Sequence, residues 1–451
     1  MSVQKGIIFM KAVIMAGGKG TRLESLTKGE IPKPMIPIKE KPLLLWQIEE
    51  LKRYGIVDIT MIIGHLGEKI TEYFGNGEKF GVNIDYILEE KPLGTAGAFY
   101  YLKDKLSDEY FLLVFGDIFF DIDIDKMEAF HKAKKAKVTL FAHPNAHPYD
   151  SDLVETDADE RVVCFDSKNN KRDYWYDNMV NAGIYILDKT VCDKVSEAVK
   201  TDFEKDILAA MATSGEAIYA YKSPEYVKDV GTVDRIEKAV AELDAGLISR
   251  KNLSNKQSAI FLDRDGTINK LNDFIYKAED LLLEDGVIEA IRAINSSGLL
   301  AIVITNQPAV ARGLCDIGDI DYIHKKLKTL IGKEGVFLDD IFYCPHHPDK
   351  GYPEENPLYK IDCECRKPKT GMIELAKDKF NIDLASSYMI GDSSMDIELA
   401  KRAGLKSVLV MTGLAGKDNK YDAKPDYTAK NLYEAVQKVL SIENISKDKE
   451  V

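Results

Sequence analysis

Four residues with soft metal-binding atoms lie within 22 positions of the carboxyl-terminal half, in the pattern C-x-H…C-x-C. They are Cys344, His346, Cys363 and Cys365. Three thiolates and one imidazole suit tetrahedral Zn²⁺, and the ion would be structural because protein fills all four positions. The loop between them is rich in proline and glycine, so we expect the metal to organise it. The alternatives are reduced thiols beside surface histidines, or His347 as the ligand instead of His346.

Two aspartates two positions apart, Asp263 and Asp265, follow an apolar run in the stretch FLDRDGT. Open α/β sheets bind their ligands at the carboxyl ends of their strands. A third aspartate, Asp392, ends another apolar run in MIGDSSMD. Carboxylates gathered at strand ends repel one another unless a cation lies between them. The pattern therefore predicts a functional site and not a structural one.

A glycine-rich stretch, AGGKGTRL, follows the apolar run 12–15 in the amino-terminal half. Its glycines are Gly17, Gly18 and Gly20. They permit a tight turn that presents backbone N–H groups to a phosphate, and Arg22 and Lys33 can neutralise phosphate charge. The stretch is not a P-loop, and it lacks the third glycine of the dinucleotide fingerprint. A glycine-rich turn without a phosphate ligand is the alternative.

Short β-rich runs alternate with helical patterns in both halves, for example YFLLVFGD, LLAIVITN and DIELAKRAG. Short buried strands between helices are typical of parallel sheets with crossover helices. An amphipathic pattern from 233 onward ends in the polar stretch 248–257, which we interpret as a linker. The sequence therefore predicts two doubly wound α/β domains, at 1–250 and 256–451.

Composition excludes several classes of protein. No run of about 18 apolar residues predicts a membrane span, and the first residues do not resemble a signal peptide. A net charge of −13 argues against a general nucleic-acid binder. Six cysteines without a secretory signal indicate reduced thiols and the cytoplasm, where a Cys/His group is more often a metal site than a disulfide framework.

Five stretches of the amino-terminal half occur in the order found in one enzyme family. They are AGGKGTRLESLTKGEIPKPMIPIKEKPLL, EEKPLGTAGAF, LLVFGDIFFD, NAGIYIL and YVKDVGT. Over about residues 11–245 the chain resembles the sugar-phosphate nucleotidyltransferases. This resemblance implies a Rossmann-like domain that transfers a nucleotidyl group from a nucleoside triphosphate to a sugar 1-phosphate.

The same resemblance implies roles for individual residues. The loop 17–22, including Thr21, would hold the triphosphate, with Arg22 on the phosphates that are displaced. Lys33 would bind phosphate oxygens at the reacting centre. Gly94 would line the base and ribose pocket. Lys168 would replace the lysine of the family's Glu-Lys-Pro, and Asp117 and Asp229 would share Mg²⁺. Asp117 as a turn cap and Asp229 as a turn residue are the alternatives.

The carboxyl-terminal half resembles the haloacid dehalogenase superfamily over about 258–445. The D-x-D-G-T stretch carries the resemblance, followed in order by VITNQ, Lys367 and MIGDSSMDIELA. It implies that Asp263 is a nucleophile forming an aspartyl phosphate, and that Asp265 protonates the leaving alcohol and then activates water. Only 39 residues separate Asp265 from Thr305, so a capless domain is expected.

Further residues are assigned by this second resemblance. Thr305 and Lys367 would steady the phosphoryl oxygens, and Asp392 would bind Mg²⁺ with Asp263 and the Asp265 backbone carbonyl. The loop carrying the Cys/His group leads directly to the phosphate site, where substrate contacts are expected from Asn306 and Arg366.

The stretches CPHHP…CECRKP, FLDRDGTIN and TNQPAVARG look like those of the heptose bisphosphate phosphatases, with histidinol phosphate phosphatases as competitors. Joined to a guanylyltransferase-like half, this implies removal of the 7-phosphate of heptose 1,7-bisphosphate and then transfer from GTP to heptose 1-phosphate. The alternative enzyme joins a mannose or other hexose transferase to a histidinol-phosphate-like phosphatase. A non-catalytic sugar-nucleotide sensor in one half is a third hypothesis, disfavoured by the intact charged residues.

Overall fold

The structure, a computed structural model, describes residues 10–18, 23, 27–351 and 354–447. The described residues form two compact units. Unit 1 is drawn from Met1–His143, Asp152–Ser167 and Met179–Asn252. Unit 2 is drawn from Pro144–Ser151, Lys168–Asn178 and Leu253–Val451. Two short segments of the amino-terminal half therefore belong to unit 2.

Most strands of unit 1 form one nine-stranded sheet, and β2 with β3 and β7 with β13 form two separate pairs. They are β1 (Lys11–Ala16), β2 (Pro37–Ile38), β3 (Lys41–Pro42), β4 (Asp58–Ile63), β5 (Asn83–Leu88), β6 (Tyr110–Phe115), β7 (Ile118–Asp121), β8 (Val138–His143), β9 (Leu153–Thr156), β10 (Val162–Asp166), β11 (Val180–Asp188), β12 (Ile218–Lys222) and β13 (Tyr226–Asp229). Strands β5, β4, β1 and β6 are parallel, and β11 pairs antiparallel with β6. Strands β7 and β13 form a separate antiparallel ladder.

Alternation along β1 builds two cores, because successive strand residues face opposite sides of the sheet. The helices of unit 1 are α1 (Leu43–Arg53), α2 (Gly67–Phe74), α3 (Phe99–Leu102), α4 (Ile124–Lys134), α5 (Ala209–Thr213), α6 (Val233–Asp244) and α7 (Leu247–Arg250). Ile14 lies in a buried cluster with residues of α1, α2 and α4, whereas Val13 lies in a second cluster with residues of α3 and α5.

A six-stranded parallel sheet forms the centre of unit 2, in the order β16-β15-β14-β17-β18-β19. Its strands are β14 (Ala259–Leu262), β15 (Leu300–Asn306), β16 (Asp340–Cys344), β17 (Tyr388–Gly391), β18 (Lys406–Val410) and β19 (Tyr427–Ala429). The chain leaves β14 for β15 on one side and later returns to β17 on the other. Ligands bind at the carboxyl ends of strands where the order reverses in this way.

Helices cover both faces of this sheet. They are α8 (Val287–Ser297), α9 (Ile317–Lys333), α10 (Gly371–Phe380), α11 (Ser394–Ala403) and α12 (Leu432–Lys447). Ile260 and Leu262 of β14 pack with α8, α9 and α12, and Phe261 packs with α10 and α11. The segments 144–151 and 168–178 belong to this unit, and Trp175 packs against the cluster that includes the apolar face of α9.

The predicted α/β architecture is confirmed, and the apolar runs named above form strands β6 and β15. In unit 1 the centre of the sheet is parallel, whereas beyond β6 the chain adds β11, which pairs antiparallel with β6 and β8, and β12, which pairs parallel with β8. The alternating patterns did not predict the antiparallel part. Between Asp265 and Thr305 the chain forms α8 and one short 3₁₀ turn, with no inserted cap domain. Among the described residues, no helix has the length and apolarity needed to cross a membrane.

Candidate active sites and metal centre

Two aspartates and one lysine meet in unit 1. Asp117 follows β6 through Gly116, and the β7–β13 ladder places Asp229 opposite Ile118. Lys33 Nζ donates a hydrogen bond to Asp117 Oδ2 and lies 3.5 Å from Asp229 Oδ1. Two carboxylates beside one ammonium can bind a divalent cation while the ammonium binds phosphate oxygens.

Lys33 is held in place by its neighbours in the chain. It opens the 3₁₀ turn Lys33–Met35, with Pro32 before it and Pro34 within the turn. The two proline rings restrict the backbone on both sides of the lysine. Lys33 is only 8% exposed, and a buried ammonium requires anionic partners. The Pro-Lys-Pro stretch therefore presents one cation to the two carboxylates in a fixed position.

A second cation of this site, Arg235, was missed by sequence reasoning. Its Nη1 lies 2.7 Å from Asp229 Oδ2. Arg235 is in the first turn of α6, three residues after Thr232, which ends the stretch YVKDVGT. The sequence signal that could have identified Arg235 is its position, as a basic residue in a helical pattern directly after that stretch. With Lys33 it balances the charge of Asp117 and Asp229.

The glycine loop after β1 lies against the half-buried carboxylate of Glu89. A Cβ atom on Gly17 would lie 2.6 Å from Glu89 Oε2, so no larger residue fits unless that carboxylate moves. Burial raises the pKa of Glu89, and its Oε1 accepts no hydrogen bond from any described residue. Gly18 has open space around it. The other loop residues predicted to bind the triphosphate, Gly20, Thr21 and Arg22, lie outside the described residues.

The two other transferase residues occupy different surroundings. Gly94 has φ +78°, and a Cβ atom there would lie 2.4 Å from the Thr201 carbonyl oxygen. Glycine is therefore required for the loop to approach residue 201. Lys168 is exposed at the start of the segment 168–178, which belongs to unit 2. The structure thus places Lys168 in a different unit from Lys33 and Asp117.

In unit 2 three buried aspartates surround Lys367. Asp263 follows β14 and Asp392 follows the adjacent parallel strand β17. Lys367 Nζ donates to Asp263 Oδ1 at 2.6 Å and to Asp396 Oδ1 at 2.7 Å. One carboxylate oxygen from each of the three aspartates lies within 4.8 Å of the others. This arrangement of hard oxygen ligands fits Mg²⁺.

Burial and mutual repulsion govern the ionisation of this group. Burial raises the pKa of Asp263 well above its usual range, although Lys367 opposes the shift. Burial and the charge of Asp396 raise the pKa of Asp392 to about 7. The second oxygen of Asp396 accepts hydrogen bonds from the N–H and hydroxyl of Ser393 and so caps α11. A divalent cation would neutralise the remaining negative charge.

Asp265 is held by a different set of partners. Its carboxylate accepts hydrogen bonds from Arg264, Asn269 and Gln307. Burial alone would raise the pKa of Asp265, but the Arg264 charge and these hydrogen bonds lower it below its usual value. Sequence reasoning identified Asp265 but none of its three partners.

Thr305 and Asn306 end the neighbouring strand β15. Thr305 is 1% exposed, and its hydroxyl accepts a hydrogen bond from Gln307 Nε2 at 2.9 Å. Asn306 Oδ1 accepts a hydrogen bond from the backbone N–H of Lys367 at 3.0 Å. The end of β15 therefore positions the backbone of Lys367 beside Asp263.

The structure brings Cys344, His346, Cys363 and Cys365 together, with one donor atom from each within 4.8 Å of the others. Cys365 Sγ lies 3.2 Å from each of the other two thiol sulfurs and 3.3 Å from His346 Nδ1. A disulfide requires about 2.05 Å, and these cysteines are free. Four soft donors facing one point fit a tetrahedral zinc ion. His347 Nδ1 instead accepts the backbone N–H of Asp349.

Arg366 links the Cys/His loop to the group of aspartates around Lys367. Arg366 Nη1 donates to the His346 carbonyl oxygen at 3.1 Å, and Lys367 is the next residue. This hydrogen bond connects His346 to the residue that precedes Lys367.

A different family model matches each half of the chain. The nucleotidyl transferase model matches residues 11–246, and the HAD-hydrolase-like model matches residues 364–435. The chain is 36% identical over 236 residues to the D-glycero-α-D-manno-heptose 1-phosphate guanylyltransferase of Aneurinibacillus thermoaerophilus, covering 52% of this chain and 98% of that protein.

Two further relatives are a phosphatase and a second guanylyltransferase. The D-glycero-β-D-manno-heptose-1,7-bisphosphate 7-phosphatase of Yersinia pestis is 39% identical over 156 residues, covering 34% of this chain and 81% of that protein. The mannose-1-phosphate guanylyltransferase of Mycobacterium tuberculosis is 30% identical over 237 residues, covering 52% of this chain and 65% of that protein.

Both halves of the chain match enzyme families, and the two resemblances stated from the sequence motifs are confirmed. The chain belongs to the nucleotidyl transferase family through its amino-terminal half and to the HAD-like phosphatases through its carboxyl-terminal half.

Proposed function

We propose that this chain is a bifunctional enzyme of nucleotide-activated heptose synthesis. It removes the 7-phosphate of D-glycero-D-manno-heptose 1,7-bisphosphate and then transfers GMP from GTP to heptose 1-phosphate, releasing pyrophosphate. One observation carries the proposal: a single chain holds two charged sites, in halves that match a heptose 1-phosphate guanylyltransferase and a heptose bisphosphate phosphatase. The proposed catalytic domains are 1–250 and 256–451.

The phosphatase reaction uses the residues around β14. An oxygen of Asp263 attacks the 7-phosphorus, and the ester bond to the sugar oxygen breaks. Asp265 enters this step protonated, because the negative charge of the bound phosphate favours its neutral form, and it gives the sugar oxygen that proton. Asp265 then takes a proton from water, which attacks the aspartyl phosphate and frees phosphate and Asp263. Lys367 and Thr305 stabilise phosphoryl oxygens, as the 2.6 Å Lys367–Asp263 contact supports.

Substrate and metal contacts of the phosphatase come from the surrounding loops. Asn306 and Arg366 are proposed substrate contacts. Asp263, Asp392 and the Asp265 backbone carbonyl are proposed Mg²⁺ ligands, and the geometry adds Asp396 as a neighbour. A bound Mg²⁺ would neutralise charge on the phosphoryl group.

The transferase reaction uses the residues of unit 1. A phosphate oxygen of the sugar 1-phosphate attacks the α-phosphorus of GTP, and the α–β bridging bond breaks to release pyrophosphate. The backbone of Gly17 and Gly18, with Arg22, binds the triphosphate, and Lys33 binds oxygens at the reacting phosphorus. Asp117 and Asp229 are proposed Mg²⁺ ligands, whose ion would offset repulsion between the two phosphates.

We propose that the Cys/His group is a structural zinc site. We also propose that the protein is cytoplasmic, where thiols stay reduced. We expect about one tightly bound zinc per chain by elemental analysis without added metal. Cys365→Ser removes a thiolate from a closed site, so the loop 344–365 becomes protease-sensitive and phosphatase affinity falls. Transfer activity is unchanged.

Cys164→Ser is the matched control for the zinc prediction, because Cys164 is exposed and lies in unit 1. It retains zinc and both activities. A zinc-free preparation with full phosphatase activity and a protease-resistant loop would show that the four residues are ordinary reduced thiols.

The choice of guanine is supported by Glu89 as well as by the guanylyltransferase relative. Guanine presents two donors on one edge, N1–H and N2–H₂, which a single carboxylate can accept together. Glu89 adjoins the glycine loop and has an oxygen to which no described residue donates. We therefore propose that Glu89 contacts the guanine edge.

Glu89→Gln is expected to lower kcat/KM for GTP by about ten- to a hundredfold, because it replaces a charge-assisted hydrogen bond by a neutral one. The loss with UTP is smaller, since uracil offers only one ring donor. Glu90→Gln is the control, because Glu90 is the exposed neighbour of Glu89, and it leaves kcat/KM for GTP unchanged. An equal loss with all four nucleotides would mean that Glu89 supports the loop and does not select the base.

A second candidate sugar is mannose 1-phosphate, which the mycobacterial relative favours. Incubation with heptose 1,7-bisphosphate, each nucleoside triphosphate in turn and Mg²⁺, followed by mass spectrometry, tests the main proposal. GDP-heptose with release of phosphate and pyrophosphate is the expected result. GDP-mannose formation from mannose 1-phosphate, without phosphate release from the heptose bisphosphate, would favour the alternative.

A further inference from the structure

Arg264 separates the two aspartates of FLDRDGT and is fully buried. Its Nη2 lies 3.0 Å from both carboxylate oxygens of Asp265 and 2.9 Å from Gln307 Oε1. A buried guanidinium that binds both oxygens of a carboxylate fixes the direction of that carboxylate. The reaction proposed above uses Asp265 but assigns nothing to Arg264.

His324 of α9 contacts the other terminal nitrogen of Arg264. His324 Nε2 lies 3.2 Å from Arg264 Nη1. A guanidinium can only donate, so His324 Nε2 must accept and His324 must be neutral. Burial beside Arg264 and Lys328 lowers the pKa of His324 well below its usual value, in agreement with that role. His324 therefore holds Arg264 at Nη1, whereas Asp265 and Gln307 bind Nη2.

The next turn of α9 binds a segment of the amino-terminal half. Lys328, four residues after His324 and so on the same face of the helix, lies 2.7 Å from Asp177 Oδ1. Thr329 Oγ1 accepts a hydrogen bond from the Tyr176 N–H at 3.0 Å, and its proton is shared between the carbonyl oxygens of Lys325 at 2.8 Å and Tyr176 at 3.1 Å. Trp175 lies against Lys326 and Lys333, each 5.7 Å from its ring centroid.

These contacts form one continuous set from residue 177 to Asp265. The segment 168–178 interrupts the sequence matched by the nucleotidyl transferase model, yet it packs in unit 2. Helix α9 carries both the residues that bind this segment and the histidine that holds Arg264. A displacement of α9 at Lys328 is transmitted to His324, because one turn of a helix is stiff.

We propose that Arg264 and His324 are positioning residues for the proton-donating carboxylate of Asp265, and that the segment 175–177 of the transferase half completes their support through α9. This inference rests on the proposed function. It makes phosphatase chemistry depend on residues that lie in the transferase half of the sequence.

The dependence of rate on the leaving group separates positioning from general support of the fold. A sugar alkoxide needs a proton from Asp265 as it leaves, whereas 4-nitrophenolate does not. A misplaced Asp265 therefore slows hydrolysis of heptose 1,7-bisphosphate more than hydrolysis of 4-nitrophenyl phosphate. Damage to the nucleophile or the fold slows both.

The test compares His324→Leu with His324→Gln, using kcat for the two substrates in the full chain. His324→Leu removes the acceptor for Arg264, and we expect kcat for the sugar phosphate to fall by about tenfold or more, with the aryl phosphate nearly unchanged. His324→Gln retains an acceptor and restores most of the lost rate. Equal losses on both substrates, or no rescue by glutamine, would overturn the positioning role.

The second arm changes the amino-terminal segment. Asp177→Asn is expected to shift the sugar-to-aryl rate ratio in the same direction by a fewfold, and it provides a test even if the His324 variants do not fold. Glu443→Gln is the matched control, because it weakens a 2.7 Å hydrogen bond to Tyr388 in the same unit, away from Asp265. An unchanged ratio in Asp177→Asn would overturn the contribution of the segment.

Asp265→Asn distinguishes failure of this inference from failure of the proposed function. A large selective loss on the sugar phosphate with Asp265→Asn, together with no selective loss in His324→Leu, would reject the positioning pair alone. The absence of a selective loss in Asp265→Asn would reject the acid role of Asp265 and the inference together.

Discussion

Replacing Asp263 with asparagine is expected to abolish phosphate release from heptose 1,7-bisphosphate, by at least about 10⁴-fold, while transfer from GTP to a supplied sugar 1-phosphate continues. An amide oxygen is a poor nucleophile, so the covalent aspartyl phosphate cannot form. Lys367 still has Asp396 as a partner at 2.7 Å, so the substitution removes one negative charge without leaving the buried ammonium alone. Phosphate release and GDP-sugar formation are measured on the same preparation.

Transfer survives because the two charged sites lie in different compact units, each with its own buried clusters. Asp340→Asn is the matched control, since it removes an aspartate that pairs with Lys379 at 2.9 Å in the same unit as Asp263. That variant keeps phosphatase activity. If a folded Asp263→Asn protein loses both activities, the assignment of one reaction to each site is wrong.

The parts of these sites that sequence reasoning located are local in the chain. Asp263 and Asp392 each follow an apolar run of a few residues, and parallel strands bring their carboxyl ends to one edge. The Cys/His ligands are likewise recognisable because two pairs sit at short spacing around one loop. A pattern of donor type and spacing is sufficient in both cases, since no distant residue has to be known.

The parts that sequence reasoning missed depend on contacts between distant positions. His324 meets Arg264 across 60 residues, and Glu89 meets Gly17 although β4 lies between the strands β5 and β1 that they follow. In sequence, His324 is one polar residue of an amphipathic helix, and only packing reveals that it is buried. The sequence likewise did not predict that 168–178 belongs to unit 2, because no pattern in a segment inserted between two strands indicates the unit against which it packs.

The second large effect is expected in unit 1, where Asp117→Ala or Asp229→Ala should lower GDP-sugar formation by on the order of a hundredfold or more and spare phosphate release. Each substitution removes a proposed Mg²⁺ ligand and one of the two carboxylates beside Lys33. The retained ammonium, with one carboxylate fewer beside it, is then freer to bind phosphate, so nucleotide affinity falls less than kcat. Transfer is measured with varied GTP and varied Mg²⁺, because a lost ligand also raises the Mg²⁺ concentration needed for activity.

Arg235 provides a graded comparison within this prediction. It pairs with Asp229 at 2.7 Å and does not pair with Asp117, so Arg235→Gln should weaken transfer through the Asp229 side only, by less than either aspartate substitution. Asp58→Asn, which changes an exposed aspartate at the start of β4, is the control and leaves transfer unchanged. An Asp229→Ala protein with the normal transfer rate and Mg²⁺ dependence would reduce Asp229 to a turn residue, and Asp117 would then need another partner for the cation. Retained function in both aspartate variants would remove the metal from this site altogether and leave Lys33 to bind phosphate without it.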